Sequence, residues 1–92
     1  MSYTVEFQAA VERQLAALAP KMQARVMTRI RALATNPRPR DAKPLTGDLK
    51  GRFKLRVGDY RVIYTIHHDV LQVLVLAVGH RSKVYGEAAR KE

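Results

Sequence analysis

A chain of 92 residues with 47% hydrophobic and 27% charged residues is enough for one folded domain of modest core and too apolar for intrinsic disorder, so residues 1–92 are read as a single domain. The absence of cysteine excludes disulfides and thiolate metal sites and fits a reducing compartment; the chain has no apolar run of membrane-spanning length and no signal-peptide pattern at its start, which leads us to expect a soluble, cytoplasmic protein with no membrane association. A formal charge of +9 points toward an anionic partner, either nucleic acid or an acidic protein.

Tyr3 to Phe7 alternates over a short span and reads as a first strand. Val11, Leu15 and Leu18 then recur at helical spacing, which predicts an amphipathic helix over roughly residues 8–18. Pro20 interrupts this run and suits the first position of a second helix. Met22, Val26, Ile30 and Leu33 form the apolar stripe of that helix, with Lys21, Arg25, Arg29 and Arg31 largely off it, and Asn36-Pro37 ends it. Met22 and Met27 are expected to fill gaps at the core's shoulder.

Residues 36–51, N-P-R-P-R-D-A-K-P-L-T-G-D-L-K-G, hold three of the four prolines and predict a long loop pinned by Leu45 and Leu49. Three strand-like runs follow. In the first, Phe53, Leu55 and Val57 alternate with Arg52, Lys54 and Arg56, and Gly58-Asp59 suits a two-residue hairpin turn. A tight turn pairs Val57 with Tyr60 and Arg56 with Arg61. That register places Arg52, Lys54, Arg56 and Arg61 on one face with Ile63, and Phe53, Leu55, Val57, Tyr60, Val62 and Tyr64 on the other. The last run, Val70 to Val78, is apolar on both faces apart from Gln72 and is expected to be the central, doubly covered strand. A short C-terminal helix starting at Ser82 is expected, with a thin apolar face.

The order β-α-α-β-β-β predicts an α+β fold: a small antiparallel-rich sheet of about four strands with two helices packed on one face. The opposite face would carry the cations. Like charges facing each other across strands weaken the sheet, so such a face is either a solvated surface with edge-protecting cations or a site for an anion. The charge distribution bears on that choice: residues 37–61 hold eight Lys/Arg against three Asp, a local +5, compared with +3 over residues 1–36 and +1 over residues 62–92. No G-x-S-x-G, glycine-rich phosphate loop or Cys–His arrangement is present, and His67-His68 sit together at a turn as solvated residues, so we expect no metal and no cofactor. What remains is a cation cluster with Arg81 and Tyr85 just past the last strand. Cleavage of RNA without a metal needs only a base for the 2′-OH, cations for the phosphate and an acid for the leaving oxygen. Tyr85 or His80 can handle protons, while Tyr85 can equally pack the tail.

The segments L-R-V-G-D-Y-R-V-I-Y (55–64) and V-L-V-L-A-V-G-H-R-S-K-V-Y (73–85) resemble the RelE branch of the RelE/ParE toxins, the toxic halves of type II toxin–antitoxin modules. The likeness spans nearly the whole chain, and its specific part is Y-R-[VIL]-[VI]-Y followed about twenty residues later by V-G-[HK]-R-x-x-V-Y. It implies a RelE-like fold and a ribosome-dependent endoribonuclease that cuts mRNA in the decoding site without a metal. It places the family's basic active-site residues on Lys54, Arg61 and Arg81, its C-terminal tyrosine on Tyr85, and Arg52 where well-known members often have lysine. Arginine stays protonated, so Arg52 would orient phosphate and proton abstraction would fall to Tyr85 or Lys54. Lys43, Lys50, Arg56, His80 and Lys83 are expected to contact RNA. The implied partners are a cognate acidic antitoxin, the ribosome with its mRNA, and operator DNA reached through the antitoxin. The alternatives are a ParE-like toxin directed at gyrase and a non-catalytic nucleic-acid-binding or co-repressor module.

Overall fold

The computed structural model describes residues 2–85. In chain order these form β1 (Thr4–Phe7), α1 (Ala9–Ala16), α2 (Pro20–Ala32), β2 (Ala42–Pro44), a 3-10 turn (Gly47–Leu49), β3 (Phe53–Val57), β4 (Tyr60–His67) and β5 (Gln72–His80). The strands lie in the order β1-β5-β4-β3-β2, with β1 parallel to β5 and the other neighbours antiparallel. The α+β class and the two packed helices are as expected. The sheet has five strands among the described residues where about four were expected, because the basic loop contributes β2 to the far edge.

Pro20 opens α2 and also shortens α1. The clash of a proline ring with the preceding residue pushes Ala19 to an extended conformation (φ −59°, ψ 148°), so α1 stops at Ala16, short of the expected residue 18. Gln23 Nε2 donates to the carbonyl oxygen of Leu15 at 2.9 Å, satisfying one of the carbonyls that a helix C-terminus leaves unpaired.

The hairpin has the expected register: Val57 pairs with Tyr60 and Arg56 with Arg61 across a turn in which Gly58 adopts φ +61°. That left-handed conformation costs glycine little and strains other residues. The helix-side face therefore presents Leu55, Val57, Val62, Tyr64, Val73, Val75 and Val78 to Val11, Leu15, Val26, Ile30 and Leu33, with Met22 and Met27 at the margin. Each fully buried aliphatic side chain contributes about 1.5–3 kcal/mol. Tyr64 is buried with its hydroxyl donating to Pro37 O at 2.7 Å, which anchors the start of the basic loop. Phe53 stacks on Tyr64 at 5.7 Å, and the Arg38 guanidinium lies 4.9 Å from the Phe53 ring centroid.

β4 occupies the middle of the sheet, and β5, expected there, lies beside it between β1 and β4. β5 is apolar on both sides and carries a bulge. Ile63 pairs with Ala77 but Tyr64 with Val75, leaving Leu76 as an extra residue. Leu76 and Ala77 consequently both join the apolar cluster on the open face, and Val78 returns to the core. The expected C-terminal helix from Ser82 extends into residues 86–92, which lie outside the described residues; Arg81 to Lys83 form a turn.

Candidate functional site

The open face of the sheet is divided. At its centre is a small apolar island of Ile63, Ala77 and Val84, packed by Leu45, Leu49, Leu76 and Tyr85. Val84 reaches it because the turn after β5 folds the chain back over Gly79, where a Cβ would stand 3.5 Å from the Val84 Cβ. Toward β2 the same face is cationic. Two like-charged pairs face each other across strands, Lys43 with Lys54 and Arg56 with Arg61. Each such pair costs stability on the order of a few tenths of a kcal/mol.

These four cations and Arg40 line a hollow of about 420 Å³ together with the carboxylate of Asp41. Asp41 is engaged from outside: Arg29, on α2, forms an ion pair with its carboxylate and reaches Arg56 O at 3.4 Å with its other terminal nitrogen. The hydrogen bond from Arg29 holds the Asp41 carboxyl below its ordinary pKa. Arg61 Nη1 donates to Gly58 O and Tyr60 O, both at 3.0 Å, fixing the guanidinium beside the turn. The backbone N–H of Arg81 donates to Asp59 O at 2.9 Å, which ties the residues after β5 to the same turn.

The structure thus brings Lys43, Lys54, Arg56 and Arg61 together, ties Arg81 to the adjoining turn, and seats Tyr85 half-buried on the island of the same face. Other expected residues lie elsewhere. Arg52 precedes β3 and is half-buried against the 3-10 turn, with a weak contact to Asp48 O at 3.5 Å and a covered Nε that has no hydrogen-bond partner among the described residues. Lys50 is exposed in the turn before it. His80, expected among the RNA contacts and as a base, pairs with Tyr60 and faces the helix side, the reverse of the cationic face. Its Nδ1 accepts from Ser82 N at 3.2 Å. With Lys83 it lines a separate hollow of about 260 Å³ beside Gln14 and Leu18.

Arg29, Arg40 and Asp41 were not among the expected site residues. The only sequence signals for them were the charge density of the 36–51 loop and the position of Arg29 off the apolar stripe of α2. Among the described residues no group of three His, Asp or Glu is placed to hold a metal, and no helix is long and apolar enough to cross a membrane.

A five-stranded sheet backed by two helices, with a cationic hollow and a tyrosine on its uncovered face, defines a small basic α+β protein. Residues 2–85 match the family model described as the ParE toxin of the type II toxin–antitoxin system parDE. Toxin RelG of Mycobacterium tuberculosis is 35% identical over 92% of this chain and 98% of its own length. The solved toxin–antitoxin complex RelBE2 of the same organism contains a chain that superposes with a TM-score of 0.79 at 36% identity, covering 90% of this chain and 95% of that one. The RelE–RelB complex of Pyrococcus horikoshii gives a TM-score of 0.74 at 28% identity over 91% and 100% of the two chains. The chain belongs to the RelE/ParE superfamily of type II toxin–antitoxin toxins, in its RelE-like branch.

Proposed function

We propose that this toxin is a ribosome-dependent endoribonuclease that cleaves mRNA in the decoding site, acts in the cytoplasm, and is held inactive by a cognate acidic antitoxin. The observation that supports the reading is the convergence of Lys54 and Arg61 in one cationic hollow on the face that seats Tyr85, with Arg81 tied to the adjoining turn. Such an arrangement costs stability without an anion and stabilises one when present.

In this reading the 2′-oxygen attacks the adjacent phosphorus and the bond to the 5′ oxygen breaks, leaving a 2′,3′-cyclic phosphate and a 5′-hydroxyl. Tyr85, acting as the phenolate, accepts the 2′-OH proton and becomes the neutral phenol, Lys54 and Arg61 stabilise the charge that builds on the phosphate, and Arg81 stabilises the leaving 5′ oxygen, which takes its proton from solvent. Few groups here orient a substrate, so the ribosome supplies the in-line geometry, an effect of several kcal/mol. The antitoxin partner is supported by the RelB-bound state of the mycobacterial and archaeal relatives and by the +9 charge.

Primer extension on translated and on naked message tests the reading. Codon-phased cuts on ribosomes with little cleavage of free RNA are expected; gyrase-linked DNA damage without cuts would instead identify the ParE-like activity. Arg61→Ala should slow single-turnover cleavage by about two orders of magnitude, the scale of losing one preorganised electrostatic donor. Tyr85→Phe should lose rate while still binding ribosomes; cleavage at the wild-type rate would reassign the base to Lys54.

A further inference from the structure

Among the described residues the hollow contains one carboxylate, and its position decides how much of the surrounding positive charge a substrate meets. Asp41 sits between Arg40 and Ala42 at the start of β2, and lines the hollow with Lys43, Lys54, Arg56 and Arg61. An aspartate beside five cations would ordinarily pair with one of them and cancel it. Here the carboxylate is paired with Arg29, a residue of α2 that is not among those lining the hollow. The same guanidinium reaches Arg56 O on β3, so one planar group bridges the loop and the sheet. The loop is held independently at its start by the Tyr64 hydroxyl on Pro37 O and by Arg38 over Phe53.

From this we infer that Arg29 is a positioning residue for RNA binding: by engaging Asp41 it keeps that carboxylate from neutralising Lys43 and its neighbours, which remain available to phosphate. The inference rests on the nuclease reading for the identity of the anion as single-stranded RNA. Both partners are substantially exposed, with side-chain accessibilities of 36% and 50%, so the pair adds little to stability and its loss should leave the fold intact. Lys43 already attracts Asp41, though less strongly than Arg29 does, so Lys43 is the cation that a released Asp41 would engage.

The test is equilibrium binding of a single-stranded RNA oligonucleotide over a range of salt concentrations, with thermal melts as a check on folding. Arg29→Met should weaken binding about three- to tenfold and reduce the slope of log K against log salt by about 0.7, the equivalent of one phosphate contact on a single strand. Asp41→Asn alone should bind as tightly as wild type or tighter, and the double variant should return to the wild-type slope. A purely structural tie makes the opposite forecast: Asp41→Asn would be as defective as Arg29→Met, and the double variant would not recover. That pattern, an unchanged Arg29→Met variant, or a wild-type protein without salt-dependent RNA binding would each overturn the inference. Because the readout is binding and not cleavage, a protein that shows the rescue but cuts no message on ribosomes would overturn the nuclease reading and leave the role of Arg29 standing.

Discussion

The two faces of this sheet are built from the same strands and from alternating residues of the same sequence, yet they are organised for opposite purposes. On the helix side, Leu55, Val57, Val62 and Tyr64 meet α1 and α2 in one continuous core. On the open side, their immediate neighbours Lys54, Arg56, Arg61 and Ile63 are split between a cationic hollow and a small apolar island. The first face lowers the free energy of the fold. The second raises it through two like-charged cross-strand pairs, and that cost is understandable where an anion is to be bound. The island moderates the contrast: Ile63 and Ala77 are buried under Leu45, Leu49, Val84 and Tyr85, so the open face is secured at its centre and charged to one side.

The largest effect should come from breaking the helix-side face. Leu55→Ala removes a fully buried side chain beneath the helices and should destabilise the protein by about 2–5 kcal/mol, read as a lower denaturation midpoint. A loss much smaller than this would mean that the core relaxes around the cavity and that the faces differ less than their burial implies.

A second effect, of intermediate size, concerns the group that joins the core to the basic loop. Burial pushes the Tyr64 phenol up to about 12 from its ordinary 10. The folded-state value is raised, so the stability attached to the neutral phenol is fully present below pH 10 and is lost as pH rises toward 12. The total is on the order of 2–3 kcal/mol. Comparing alkaline unfolding of wild type with Tyr64→Phe isolates it. The variant should lack this component of the alkaline decline, at the cost of about 0.5–1.5 kcal/mol near neutral pH for the lost hydrogen bond to Pro37. Parallel declines in the two proteins would dismiss Tyr64 as the group responsible.

The smallest effect has the opposite sign. Arg56→Thr removes one member of a like-charged pair and places a β-branched residue in a strand, so it should stabilise the fold by a few tenths of a kcal/mol. The same change should weaken binding to RNA and lower its salt dependence. A variant that lost both stability and binding would show that Arg56 belongs to the packing of the sheet, and the division between the faces would have to be redrawn.

Much of the architecture was legible because it depends on local periodicity. The stripe Val26, Ile30 and Leu33 marked the buried side of α2, and alternation around Gly58-Asp59 set the hairpin register and hence the shared face of Lys54, Arg56 and Arg61. These features need only the 3.6- and 2-residue repeats and a turn that tolerates a left-handed residue. Other features depend on which distant segments meet. β2 is three residues long and includes a proline, too short to show a repeat, and becomes a strand only because β3 offers it an edge. Ala77 and Val78 change faces because of a bulge that spacing does not announce, so the pairing partners of β5 could not be counted from the turn. His80 follows Gly79 directly and, by alternation, belongs with Tyr60 on the helix side; proximity in sequence to Arg81 concealed that. The pairing of Arg29 with Asp41 spans a helix end and a loop, and Tyr85 joins the open-face cluster beside Val84, which packs over Gly79. The sequence by itself determined the two helices, the hairpin and the excess of positive charge, since each is set by residues adjacent along the chain. Tertiary structure alone decided which cations share the hollow and which arginine engages the carboxylate among them, because electrostatic effects depend on distances in space that no local repeat encodes.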